Sequence, residues 1–265
     1  MKVFISSDIE GTAGITAWDE AKKGNPEYAE FREYMTEELV AACEGARAAG
    51  ATEVVVKDAH STARNLILSR LPDYVRVVRG WSGHPDMMMF GIDSSFASAL
   101  YIGYHNKAGT DTNPLAHTLT GTVSRLLING EVASEFTINA LCAARYSVPS
   151  AFLAGDAGMC AEAKGLVAEI GTVATSAGFG PATSSLTPGA SRRAIRDGVE
   201  AALSRDVSMC LPQLAERFEL VVEYTTPTEA YRGSWYPGVE HVAPRVLRFE
   251  AKDFFDIQRA IRFIV

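Results

Sequence analysis

Three apolar runs in this chain stop at side chains able to bind a metal ion, and that recurrence restricts the fold more than any single motif. Val3-Phe4-Ile5-Ser6-Ser7 leads into Asp8 and Glu10, Val54-Val55-Val56-Lys57-Asp58 reaches His60, and Leu100-Tyr101-Ile102-Gly103-Tyr104 stops at His105. Short runs rich in Val and Ile read as buried strands, and open α/β sheets bind ligands in the crevice beyond the carboxyl ends of their strands. Carboxylates and imidazoles at three such ends predict one converging site.

The intervening segments agree. A strand over 2–7 precedes a helix over 26–49 that closes at Gly50, followed by strand 53–57, helix 62–71, strand 75–78 and strand 99–103. This alternation predicts an α/β fold, a mostly parallel or mixed sheet flanked by helices. Strand patterns over 122–128 and 131–133 flank Asn129-Gly130, a strong two-residue hairpin signal. Helix 135–146 and strand 150–154 follow. Helices over 157–169, 191–204 and 253–263 then interleave with strands over 172–175, 219–224 and 245–249, predicting a second, smaller α/β lobe. Residues 178–189, rich in Gly, Ser, Thr and Pro, read as a connection. The expectation is one catalytic chain over 1–265 in two lobes, with every candidate ligand inside 1–135.

Composition matters mainly for what it excludes. A formal charge of -7 without any basic run argues against a nucleic-acid partner. No apolar stretch approaches the ~20 residues of a membrane span, and no apolar leader segment precedes the first strand, so no membrane partner and a cytoplasmic location are expected. Cys43, Cys142, Cys160 and Cys210 lack C-x-x-C spacing and are expected to be buried, reduced thiols.

The chemistry rests on a few side chains. Asp8 and Glu10 point to one face of an extended strand, whereas on a helix they would diverge by roughly 200°. Gly11 is expected to turn the chain away from them. Imidazole together with carboxylate suits zinc, manganese or iron better than magnesium. Glu135, opening a predicted helix, joins Asp8, Glu10, His60 and His105 as a candidate ligand. Five ligands exceed what one catalytic zinc takes while keeping an open position, so two ions sharing a bridging carboxylate fit better. Such a pair can activate a shared water or hydroxide for hydrolysis. His117 lies outside the strand ends and is the candidate catalytic residue, free to move protons, orient the substrate or act as a nucleophile, and an imidazole's ordinary pKa suits acid–base work. Asp58 and Asp156 are candidate supports for the ligands. His84 reads as a loop residue, His241 as structural, Met87-Met88-Met89 as packing, and residues 231–235 as a contributor to the substrate pocket.

Taken in order, Ser7-Asp8-Ile9-Glu10-Gly11, Asp58-Ala59-His60-Ser61, Gly103-Tyr104-His105, the segment around His117, Glu135-Phe136-Thr137-Ile138-Asn139-Ala140 and Phe249-Glu250-Ala251-Lys252-Asp253 resemble the D-aminopeptidases of the DppA type, the M55 metallopeptidases. The resemblance spans most of the chain. It implies two zinc ions per chain, with Asp8 bridging, Glu10 and His60 completing one ion, and His105 and Glu135 the other. His117 then matches the family's catalytic histidine. The implied substrates are short peptides with an N-terminal D-amino acid, such as D-Ala-D-Ala, and the implied assembly is a homodecamer.

Three other readings compete. Asp8-Ile9-Glu10-Gly11-Thr12 also resembles the opening of haloacid-dehalogenase-type phosphatases, with Asp8 as nucleophile. That reading leaves the histidines without a task, and Cys160 and Ala161 stand where its later acid is expected. A non-catalytic structural metal site would favour cysteine ligands, absent from this set. A metal-dependent amidohydrolase acting on a different amide keeps the same site and changes only the pocket walls.

Overall fold

The computed structural model describes residues 1–265. In chain order the elements are β1 (Lys2–Ser7), α1 (Trp18–Ala21), α2 (Tyr28–Ala48), β2 (Glu53–Asp58), β3 (Val75–Val78), β4 (Ser98–Tyr104), β5 (Val123–Ile128), β6 (Glu131–Val132), α3 (Glu135–Arg145) and β7 (Ser150–Asp156). There follow α4 (Ala157–Leu166), β8 (Gly171–Phe179), β9 (Ala182–Ser185), α5 (Pro188–Leu203), β10 (Phe218–Tyr224), α6 (Pro227–Gly233), β11 (Glu240–Ala243), β12 (Val246–Ala251) and α7 (Phe254–Ile264).

Seven strands form the main sheet in the order β3-β2-β1-β4-β7-β8-β9, parallel except for β9. Period-two alternation divides its core. Val3 and Ile5 pack with Leu39, Cys43 and Ile195 beneath α2 and α5, while Phe4 joins Tyr101, Phe136 and Met159 on the α3 and α4 face. The strand order grows outward from β1 toward β3 and from β4 toward β8, so it reverses between β1 and β4. This is the topological switch point at which such sheets place their ligands.

A second, five-stranded sheet of order β11-β12-β10-β5-β6 is antiparallel and carries α7 on its apolar face. Asn129 and Gly130 both adopt positive φ, 52° and 84°, and close the expected hairpin between β5 and β6. Because β5 and β6 come from the first half of the chain and β10 to β12 from the last quarter, this sheet is not a contiguous C-terminal unit.

The helix predicted over 62–71 is absent; only a 3-10 turn at Leu68–Arg70 forms. Ser61 and Ala63 sit at positive φ. The Asp58 carboxylate also collects the backbone N–H groups of Asn65 (2.6 Å) and Leu66 (2.9 Å) and the Asn65 side-chain amide (2.8 Å). A buried carboxylate drawing backbone donors into a loop competes directly with helical pairing. Residues 178–189 likewise form more than a connection, since β9 pairs antiparallel with the end of β8. All four cysteines are buried and free, as expected.

Candidate metal centre

The reversal between β1 and β4 brings two chain ends unusually close. Gly11 N–H donates to the Gly103 carbonyl at 2.8 Å. A Cβ on Gly11 would lie 1.9 Å from the Tyr104 carbonyl oxygen, and one on Gly103, at φ +74°, would lie 2.3 Å from the Asp8 carbonyl oxygen. Gly11 sits in the expected turn, closed by Thr12 N–H donating to the Ile9 carbonyl at 2.9 Å, and its missing side chain also permits the contact between strand ends. That contact places Asp8 and Glu10 beside His105, with His60 arriving from the neighbouring β2.

Five candidate ligands from four elements converge: Asp8, Glu10, His60, His105 and Glu135 are all at most 6% exposed. Their donor atoms fall into two groups sharing Asp8, one with Glu10 and His60, the other with His105 and Glu135; Glu10, His105 and His117 make a third close grouping. Asp8 Oδ1 is 3.3 Å from His60 Nδ1, and its Oδ2 is 3.7 Å from His105 Nε2. Glu10 Oε2 lies 3.0 Å from His60 Nδ1, and Glu135 Oε2 lies 3.5 Å from His105 Nε2. Ligand atoms bound to zinc at about 2.0–2.1 Å in a tetrahedron stand about 3.3–3.4 Å apart. The observed spacings match that scale.

The tautomers of both imidazoles follow from their other nitrogen. His60 Nε2 faces the Ala21 carbonyl at 2.9 Å and His105 Nδ1 faces the Asn106 carbonyl at 3.0 Å. A carbonyl only accepts, so these nitrogens carry the protons. His60 Nδ1 and His105 Nε2 then turn lone pairs toward carboxylate oxygens. Such lone pairs repel unless a cation stands between them. His105 Nε2 has no hydrogen-bond partner, and Glu10 Oε2, despite its proximity to His60, is out of hydrogen-bonding alignment. The donor set thus fits a metal, and the carbonyl partners are those that orient metal-bound histidines.

With protons as the only cations, burial opposes charge on the imidazoles, but the acids overcome it. The nearby charges of Glu10 and Asp8 push His60 up to about 12, and Glu135 leads in pushing His105 up to about 10. Burial and the adjacent Glu10 push the Asp8 carboxyl well above its usual range. Three carboxylates in so dry a place require compensating positive charge.

The surroundings hold these groups in place. Glu135 is the first residue of α3, capped by Ser134, whose side chain accepts from Thr137 N–H. Its Oε1 accepts from Leu119 N–H at 2.7 Å, leaving Oε2 for the centre. Asp156 accepts from Asn106 N–H and caps α4 through Met159 N–H, so it steadies the segment after His105. Asp58, expected to support an imidazole directly, instead fixes the loop whose Asn65 amide holds the His60 carbonyl.

His117 lies against the centre. Its ring stacks on His105 at 4.2 Å and meets the edge of Trp18 at 5.1 Å. Nδ1 donates to the Leu115 carbonyl at 2.8 Å, which leaves Nε2 unprotonated and 3.7 Å from Glu135 Oε1. Burial, and then the His105 charge, lower its pKa from the usual value. It is therefore available as a neutral base.

A cavity of about 620 Å³ opens over these residues. Several of its walls carried no recognisable sequence signal: Trp18 and Lys22 at α1, Trp81 in the loop after β3, and Ile261 and Arg262 on α7. Buried Lys57 donates to the Asp58 and Gly80 carbonyls and lies 4.3 Å over the Trp81 ring, pinning that wall. His84 packs on Phe90 and Phe255 and stands 3.4 Å from Asp86, so it is less a solvated loop residue than part of the wall. The stretch expected to shape the pocket does not: Tyr231 and Trp235 pair with each other on the exposed side of α6, and α7 lines the cavity instead. Met88, from the expected packing run, is buried and lines it too.

Comparison with known proteins agrees over nearly the whole chain. The family model described as Peptidase M55, D-aminopeptidase, matches residues 1–263. A D-aminopeptidase of Bacillus subtilis (strain 168) is 29% identical over 263 residues, covering 98% of this chain and 95% of that protein. A solved structure described as the Zn-dependent D-aminopeptidase DppA from Bacillus subtilis, a self-compartmentalizing protease, superposes with a TM-score of 0.95 at 28% identity, covering 100% of this chain and 96% of that one. No helix is long and apolar enough to cross a membrane.

Proposed function

The chain belongs to the M55 family of D-aminopeptidases, and on that premise we propose that this metallo-aminopeptidase works with two zinc ions and removes the N-terminal D-residue from short peptides of the D-Ala-D-Ala type. The observation that carries the two-ion reading is the division of Asp8, one oxygen toward His60 and the other toward His105. Asp8, Glu10 and His60 would hold one ion, and Asp8, His105 and Glu135 would hold the other, with Asp8 shared between them. Zinc, when bound, supplies Lewis acidity toward the scissile carbonyl and makes water more acidic.

The remaining work belongs to the chain. His117, held neutral with Nε2 free, takes the proton of the attacking water and returns it to the leaving amine. Trp18, Trp81 and Met88 wall the cavity. A cavity of about 620 Å³ suits a short peptide rather than a folded chain. The whole of 1–265 serves as one catalytic unit with two lobes, since α7 of the second sheet lines the cavity over the first. The description of the Bacillus subtilis structure as self-compartmentalizing supports a homo-oligomer, read here as a decamer acting in the cytoplasm.

The deciding experiment is zinc content per chain by plasma mass spectrometry, for the protein and for Asp8→Ala, with rates on D-Ala-D-Ala and L-Ala-L-Ala. About two zinc ions, both diminished in the variant, and faster cleavage of the D-peptide are expected. Zinc unaffected by loss of Asp8 would overturn the bridge, and faster cleavage of the L-peptide the stereochemistry.

A further inference from the structure

The cavity over the metal centre is lined by acids and imidazoles at its floor, and only two of its lining residues carry a permanent positive charge, Lys22 and Arg262. They come from opposite sides. Lys22 follows the last residue of α1, which stands beside the centre because the Ala21 carbonyl holds His60. Arg262 sits in the last turn of α7, on the second sheet. Neither has a carboxylate within 4 Å. Both are exposed at the cavity mouth, and the Lys22 ammonium lies 5.8 Å from the Trp18 ring, which also lines it.

An aminopeptidase places the substrate's amino end and first amide at the metals. Whatever follows the scissile bond must extend from the floor toward the mouth. In a peptide of two or three residues, the part reaching the mouth is the free terminal carboxylate. We propose that Lys22 and Arg262 form a carboxylate clamp that selects short peptides with a free C-terminus. This inference rests on the aminopeptidase reading above. Such a clamp would let a site with a reactive but indiscriminate centre disfavour longer chains: an internal residue would bring a neutral amide to the position where the two cations favour a charge. Charge-assisted hydrogen bonds are the stronger class, and a guanidinium can grip a carboxylate through two of them.

The test compares D-Ala-D-Ala with its C-terminal carboxamide on the zinc-loaded protein, and repeats the comparison with Lys22→Met, Arg262→Met and the double variant. The free acid should be preferred by about tenfold to a hundredfold in kcat/KM, mostly through KM. Each single variant should shrink that preference and the double variant bring it close to parity, while Lys22→Arg keeps most of it. Both side chains are exposed, and an unchanged melting temperature verifies folding. Parity in the unaltered protein, or a preference that survives in the double variant, would overturn the clamp. Hydrolysis of D-alanine p-nitroanilide, which has no carboxylate, reports on the aminopeptidase reading separately. Calorimetric binding of a reduced-amide analogue of D-Ala-D-Ala, as acid and as carboxamide, reads the clamp without turnover. Carboxylate-dependent binding that vanishes in the double variant supports it even if no D-peptide is cleaved, and binding indifferent to the carboxylate refutes it.

Discussion

Along β10, Phe218, Leu220, Val222 and Tyr224 turn inward, while Glu219 and Glu223 face outward to Arg248 and Arg245. Just beyond β1, Asp8 and Glu10 are 3% and 2% exposed, and the nitrogen atoms facing them belong to histidines. The antiparallel sheet keeps its charges in water, where a pair contributes at most about 1 kcal/mol and desolvation is slight. The parallel sheet buries its charges at the switch point, where they cost stability until a cation joins them. Apolar order supports the fold in both sheets, and the unsatisfied charge marks the candidate metal centre.

The sharpest way to separate the two regions is His117→Ala. It should lower kcat by about a hundredfold to ten-thousandfold, the usual span of a lost acid–base group, while zinc content and melting temperature hold. Unchanged kcat would remove His117 from the mechanism.

Leu220→Ala probes the other side. Leu220 is 1% exposed in the second core, and its truncation should cost about 2–5 kcal/mol in urea unfolding, with activity per folded molecule retained. A large loss of specific activity would mean that the second sheet positions the site more tightly than its role as a wall requires.

Glu38 offers the smallest and most specific test, because it is a buried carboxylate of the parallel half with no imidazole beside it. Its Oε1 accepts from Ala13 N–H (3.0 Å) and Ser191 Oγ (2.7 Å), and Oε2 has no partner. Burial, outweighing those bonds, pushes it up to about 7 from 4.5. The folded state holds its proton where the unfolded chain has released it. The resulting stability is fully present below pH 4.5 and is lost as pH rises through about 7. Glu38→Gln should flatten that slope and gain on the order of 2 kcal/mol at pH 8, read from denaturant midpoints. An unchanged slope would mean that Glu38 is ionised and compensated in the fold.

Much of this fold is legible in the sequence. Val3-Phe4-Ile5 alternates between two cores as a strand should, Asn129-Gly130 closes its hairpin, and α2, α3 and α7 fall close to their expected spans. The predicted helix at 62–71 failed because apolar spacing cannot register a carboxylate seven residues upstream of Asn65 that captures its backbone. The pocket walls escaped for a related reason: Trp18, Lys22 and Arg262 carry no local pattern that distinguishes a cavity from bulk solvent.

What the sequence determined by itself was which residues end strands, and therefore which carboxylates and imidazoles could meet, because strand periodicity and turn chemistry act over a few neighbouring residues. How they meet depends on pairing and packing between distant segments. Pairing of β1 with both β2 and β4 sets Asp8 between two histidines, the carbonyls of Ala21 and Asn106 select which imidazole nitrogen faces it, and α7 closes the cavity from a sheet formed by distant segments. Those are contacts between residues far apart in the chain, made by packing and chain closure, and no local pattern encodes them.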